Sequence, residues 1–352
     1  MNVRVALDAM GGDHCPDAPV RAAVAAALGG NGVTVLLVGP SGLLRPLVGP
    51  DGEKALERGC LELVEATEVI GQDEPPVTAV RQKKDSSIVV GLGLVRDKRA
   101  DAFVSAGSTG ALMAGAFRMF GRIRGVPRPA LASVFPSLRP GGREFLYLDL
   151  GANADARPEH LRAYAVMASV YMEKVMGRPR PRVALLSNGT EAAKGNELTK
   201  AAHELMARTP GLNFVGNVEG RDVFSGEFDA LVTDGFTGNV TMKLLEGVVE
   251  GLFGVMKTEF TRGLRGKAGA LLLRPSLRAI KKRLDYAEYG GAPFLGVGAP
   301  CIKCHGSSNA RAIEMGILAA RRFTAGRVID LISEQLSRLA APADSLGNDT
   351  ED

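Results

Sequence analysis

Six times in this sequence an apolar run of strand length ends in a small polar turn, and a segment with helical spacing follows. In Phe103 to Gly121, FVSAGSTGALMAGAFRMFG, the run ends at Ser105 and the turn holds Gly107, Ser108, Thr109 and Gly110. The other five turns are Asp8-Ala-Met-Gly-Gly-Asp13, Leu150-Gly-Ala-Asn153, Ser187-Asn-Gly-Thr190, Thr233-Asp-Gly-Phe-Thr-Gly-Asn239 and His305-Gly-Ser-Ser-Asn309. Apolar strands alternating with helices imply a mostly parallel sheet covered on both faces. We therefore expect a three-layer α/β/α fold whose six turns gather at one edge, outside the carboxyl ends of the strands, where such sheets bind ligands. Each turn aims unpaired backbone N–H groups and a positive helix end at one point, which suits an anion. A single turn of this kind is equally a tight turn with a Ser or Thr N-cap; the repetition favours binding.

Along the chain, helices are predicted at Asp17–Leu28, Ser86–Arg99, Pro158–Met176 and Gly195–Arg208, with strands between them. Thr67–Pro76 is a polar loop long enough to reach over a site, and Phe294–Cys304 reads as one strand. From Val240 to Phe260 apolar residues recur every four positions, predicting a long helix with a wide apolar face. A second amphipathic segment follows Pro275, so Gly263–Arg274, with Leu271, Leu272 and Leu273, becomes the tip of a projecting hairpin. The expected organisation is one catalytic domain over 1–340, with the hairpin at 240–287 and a disordered acidic tail at 341–352.

With no Trp and 5% aromatic residues the chain lacks a surface for stacking bases, so no nucleic-acid partner is expected. No segment is long and apolar enough for a membrane span, and the chain leads into a strand at Val3 without a signal-peptide pattern, so a cytoplasmic protein is expected. Four unevenly spaced cysteines fit reducing surroundings. Cys301-Ile-Lys-Cys304-His305 matches a haem-attachment pattern, but it ends a strand, and no second Cys/His pair supports zinc. Neither cofactor nor metal is expected. Lys257 to Arg283 carries nine basic residues against Glu259 alone, leaving the rest of the chain net acidic; by itself such a block suggests an acidic partner, whether a protein, an anionic membrane or nucleic acid.

Walker A, GxGxxG after the first strand, GxSxG and HExxH are all absent. LDAMGGD, SAGSTGA, LDLGANAD, LLSNGTEAAKGNE, GNVEGRD, TDGFTGN and HGSSNA, in this order over residues 5 to 323, resemble the PlsX family of bacterial phosphate acyltransferases. One departure is CIKCHG, where small apolar residues are expected before His-Gly.

The resemblance implies a fold like the phosphotransacetylases and the isocitrate and isopropylmalate dehydrogenases. It further implies transfer of an acyl group from acyl-acyl carrier protein to inorganic phosphate, a homodimer, peripheral attachment to an anionic membrane, and a downstream glycerol-3-phosphate acyltransferase using the acyl phosphate. Carried onto this chain, Lys194 would neutralise phosphate or protonate the leaving thiolate, and Asn239 would donate its amide to phosphate or oxyanion, or else serve as an N-cap. Asp8, Asp13, Asp149 and Asp234 would orient donors or cap turns, and His305 would be a general acid or a turn histidine. Substrate contacts would come from Gly11, Gly12, Asn153, Asn188, Thr190, Glu219, Arg221, Asp222, Ser307 and Asn309 as well as the Gly107–Gly110 turn. Leu271 to Leu273 with Lys267 and Arg274 would touch the membrane. Two rivals remain open: an NAD-dependent dehydrogenase of the related fold, and a non-enzymatic membrane or carrier-protein scaffold.

Overall fold

A computed structural model of the chain describes residues 2–139, 141–284 and 291–340. The acidic tail at 341–352 and the end of the 240–287 hairpin lie outside the described residues. The first half runs β1 (Val3–Asp8), α1 (Asp17–Leu28), β2 (Val33–Gly39), α2 (Ser41–Leu44), α3 (Gly49–Glu57), β3 (Leu61–Glu65), α4 (Pro76–Gln82), α5 (Ser87–Arg96), β4 (Ala102–Ser105) and α6 (Thr109–Phe120). Next come β5 (Ala130–Phe135), β6 (Phe145–Leu148), α7 (Pro158–Lys174), β7 (Val183–Ser187), α8 (Glu197–Ala207), β8 (Phe214–Glu219), β9 (Ala230–Val232) and α9 (Gly235–Thr261). The chain closes with α10 (Leu264–Leu284), β10 (Ala292–Leu295), β11 (Cys301–Lys303), α11 (Ala310–Ala325) and α12 (Val328–Ala340).

One sheet has the order β3-β2-β1-β4-β11-β10-β5-β6-β9-β7-β8. Alternating side chains feed a core on each face, as the period of a strand requires. In the first half, Val5 and Leu7 pack with α1 and α11, while Ala6 and Phe103 pack with α5 and α6. In the second half, Leu146 and Leu148 lie under α7 and α12, while Phe145 and Tyr147 meet Met242 and Leu245 of α9. The three layers of the sequence reading are present, and seven of the ten ladders among the described residues are parallel.

Two expectations are corrected here. β10 is antiparallel to both β11 and β5, and β5 is antiparallel to β6. The ladder therefore reverses direction in its middle, and the polar turns form two groups at opposite edges of it instead of one. Phe294–Cys304 contains that reversal: it is two antiparallel strands, broken where Gly296 takes φ +97° and Pro300 removes a donor.

The second correction concerns the hairpin. α10 begins at Leu264, one residue past Gly263 at φ +99°, so Gly263–Arg274 is mostly helix and Pro275 lies inside it. Ala268, Ala270 and Leu271–Leu273 are good helix formers and carry the helix up to Pro275 in spite of the hydrogen bond it removes. α9 packs on α10 and still exposes Val240, Leu244, Val248, Leu252 and Val255. No helix among the described residues is long and apolar enough to cross a membrane.

Candidate active site

The first group of turns is built around Asp8, 1% exposed at the end of β1. Ser105 Oγ donates to its Oδ2 at 2.6 Å, Met10 N donates to Oδ1 at 3.0 Å, and Gly107 N donates to Ser105 Oγ at 2.9 Å. Burial raises the Asp8 carboxyl above the ordinary aspartate range, and the Ser105 hydrogen bond opposes that rise. Gly11 is where the turns after β1 and β4 touch: a Cβ there would stand 2.4 Å from Asp8 Oδ2 and 2.5 Å from Gly107 N. Asp13 N donates to Gly306 O at 2.8 Å, which ties in the turn after β11, and Gly12 lies against the same carbonyl. His305 Nδ1 accepts from Ser307 N at 3.2 Å and meets Ser307 Oγ at 2.8 Å, which assigns the proton of a neutral ring to Nε2.

In this group Ser108 and Asn309 are N-caps, accepting from Ala111 N and Ala312 N, while Thr109 is exposed. The Thr67–Pro76 loop reaches these turns: Pro76 packs against Gly110, and Gln72 lies beside Gly306. A cavity of about 570 Å³ opens here, lined by Asp13, His14, Arg21, Asn309 and Arg311. Beneath it, buried Lys303 donates to the carbonyls of Ala106 and Cys304, and burial lowers its pKa. Cys301 and Cys304 are free and buried, and burial pushes the Cys304 thiol up to about 12. Among the described residues no group of three or more His, Cys, Asp or Glu is placed to hold a metal ion.

The second group centres on Asp149, fully buried after β6. Its Oδ1 accepts from Leu131 N (3.0 Å), Ala152 N (3.0 Å) and Gly151 N (3.3 Å), and its Oδ2 from Asn153 N (2.8 Å) and Nδ2 (3.0 Å). Burial again raises the carboxyl, and these bonds oppose it. Asn153 Nδ2 also reaches Pro129 O and Tyr164 Oη, so its amide is committed inside the protein. Asp234 caps α9 by accepting from Thr237 N at 2.9 Å. Asn239 is therefore not the N-cap: it sits on the second turn of α9, half-buried against Gly151. Gly238 lets α9 lie directly on the backbone of Asp149.

β7 lies between β9 and β8, which brings its loop beside Asp234. Asn188, Thr190 and Lys194 are exposed in that loop, with Gly189 packed on the Lys194 stem. At the end of β8, Arg221 is 79% exposed and pairs with Glu219 at 2.5 Å and Asp222 at 3.6 Å, contacts that add little stability in water. Leu271, Leu272, Leu273, Lys267 and Arg274 are exposed on α10.

The chain matches a family described as "Fatty acid synthesis protein" over residues 3–331. It is 49% identical over 336 residues to a phosphate acyltransferase of Brevibacillus brevis, covering 96% of this chain and 98% of that protein. A phosphate acyltransferase of Heliobacterium modesticaldum is 48% identical over 340 residues, covering 97% and 99%. The chain belongs to the PlsX family of phosphate acyltransferases. Two solved structures share the fold of this family member. A phosphotransacetylase from Streptococcus pyogenes superposes with a TM-score of 0.58 at 18% identity, covering 92% of this chain and 94% of that one. A branched-chain phosphotransacylase from Enterococcus faecalis gives 0.57 at 14%, covering 92% and 99%. The α/β fold expected from the sequence is thus the phosphotransacetylase-like one.

Several candidate residues of this acyltransferase family member escaped the sequence reading. Ser105 ends an apolar run and carries no pattern of its own. Lys303 sits in a three-residue strand between hydrophobic neighbours, where nothing local signals a buried ammonium. Tyr147 and Tyr164 read as ordinary core aromatics.

Proposed function

We propose that this enzyme transfers a fatty acyl group from acyl-acyl carrier protein to inorganic phosphate. The product, acyl phosphate, serves phospholipid synthesis through a glycerol-3-phosphate acyltransferase. The observation that carries this reading is 48–49% identity to phosphate acyltransferases over nearly the whole chain. On this reading the two groups of turns face one cleft. Six ladder steps separate β1 from β9, and a twist of roughly 20–25° per step swings the reversed ends through about 120–150°, back toward each other.

A phosphate oxygen attacks the thioester carbonyl directly. The carbon–sulfur bond breaks, and the thiolate, with a pKa of about 8.5, leaves and takes up a proton. Holding phosphate in place and stabilising the oxyanion are then the main tasks of the protein. Lys194 neutralises phosphate or supplies that proton, and Asn239 donates its amide to the developing charge. Asp8 and Asp149 hold the turns in shape, and the helix ends after β4 and β11 face the anion.

The exposed apolar stripe of α9 is covered by a second copy, giving a homodimer. Leu271 to Leu273 with Lys267 and Arg274 attach the dimer to an anionic bilayer from the cytoplasmic side. The test of the reaction is phosphate-dependent release of free thiol from acyl-acyl carrier protein. Mass spectrometry after mixing with acyl donor alone tests the direct attack: a stoichiometric acyl-enzyme would overturn it.

A further inference from the structure

A groove of about 440 Å³ lies between α4, α5 and α6. Its floor is apolar: Val80 and Leu94 are buried, and Val89, Val90 and Met119 are half-buried. Around them stand Arg81, Lys84, Arg96, Arg99 and Arg118, all exposed, against Asp97 alone. Arg96 pairs with Asp97 at 2.8 Å and Arg99 with Glu62 at 3.0 Å, while Arg81, Lys84 and Arg118 have no ion-pair partner among the described residues. Arg81, Arg96 and Arg118 each occupy the last turn of a helix, where the dipole favours a cation. That accounts for one charge per helix, but not for the meeting of three such ends, nor for Lys84 and Arg99 beside them. The excess is local, since outside Lys257 to Arg283 the chain is net acidic.

A concave surface with an apolar floor and a cationic rim fits a convex acidic partner, whereas a flat bilayer would touch only its edges. No lining residue lies on α9 or α10, the helices assigned to the second copy and the membrane. The groove is also joined to the site. Pro76, the first residue of α4, packs against Gly110 in the turn after β4. Arg118 follows Thr109 by nine residues of the same helix, about 14 Å along its axis. A partner seated here stands one helix length from the turn that faces the anion, a distance that a phosphopantetheine arm spans. We propose that the groove docks the acyl carrier protein through an acidic helical face, so that the arm carries the thioester along α6 to the turns. This rests on the reading of the donor as acyl-acyl carrier protein.

The test is the double charge reversal Arg81→Glu with Arg118→Glu, or the neutral pair Arg81→Gln with Arg118→Gln if the first fails to fold. Thiol release is measured from the carrier-protein thioester and from the pantetheine thioester of the same acyl group, which keeps part of the arm and lacks the protein. The expected result is a loss of about tenfold or more in kcat/KM for the carrier-protein donor, carried by KM, with the pantetheine donor within about twofold of wild type. Binding of the carrier protein, followed directly by biolayer interferometry, should weaken with ionic strength in the wild type and respond less in the variants. Unchanged kcat/KM and carrier affinity in a folded variant overturn the proposal. So does an equal loss for both donors, which would place the effect at the site itself. Loss of sedimentation with anionic vesicles while carrier affinity stays intact also overturns it, because a lipid surface would then be the occupant. A wild type that neither binds the carrier protein nor releases thiol from it removes the reading of the donor, and the docking assignment with it.

Discussion

Replacing Gly238 by alanine tests the central geometric claim about α9. A Cβ at this position would stand 1.9 Å from the Asp149 carbonyl oxygen and 3.0 Å from its carbon. Both are backbone atoms of a turn that five hydrogen bonds to the Asp149 carboxylate hold in place, so no side chain can swing aside. Bringing the contact to even 3.0 Å, the shortest that real Cβ atoms show, requires a displacement of about 1.1 Å, and the helix is the partner that can move. α9 carries Asp234 and Asn239 with it, and a misplacement of about 1 Å in a catalytic array lowers rate on the order of a hundredfold. The assay is phosphate-dependent thiol release, with thermal unfolding to follow the fold. Gly93→Ala in α5 is the control, because nothing lies within 4 Å of its added Cβ; it should be stabilised by about 0.5–1 kcal/mol and stay active. Near wild-type kcat/KM in Gly238→Ala would refute the claim that α9 is seated on Asp149 and positions the site.

Lys194→Ala and Asn239→Ala should each fold normally and lose on the order of a hundredfold in turnover; wild-type turnover for Lys194→Ala at saturating phosphate would remove its assigned role. Burial raises Asp8, so the folded state binds its proton more tightly than the unfolded chain, and ionisation removes stability as pH rises from about 4 through the raised pKa. Asp8→Asn should flatten that part of the curve of unfolding midpoint against pH, and an unchanged slope would contradict the assignment. Polar replacements at Leu271, Leu272 and Leu273 should abolish sedimentation with anionic vesicles and spare activity in solution, whereas unchanged sedimentation would place the membrane contact elsewhere.

Local chemistry is what the sequence by itself determined. A strand that turns into a helix needs small residues where backbones approach and a short polar side chain to cap the first turn. Those demands are written contiguously in AGSTGA, LGANAD and HGSSN, which is why the layers and most of the turns were legible. Whether Asp234 or Asn239 caps α9 was not, because both precede or begin the same apolar repeat. The choice falls to packing, where Gly238 seats the helix on Asp149 and so sets its first residue. Strand direction was equally hidden. The antiparallel pairing of β10 with β5 joins segments more than 160 residues apart in the chain, and no local pattern says which way a strand will run beside a distant partner. Burial of Lys303 and of the Tyr147 hydroxyl is likewise a tertiary outcome. Each occupies a strand position whose surroundings are supplied by other elements, Lys303 by the turns after β4 and β11 and Tyr147 by α9 and the residues after β8. A side chain's solvent and hydrogen-bond partners are set by what packs on it from elsewhere in the chain, so only the assembled fold decides them.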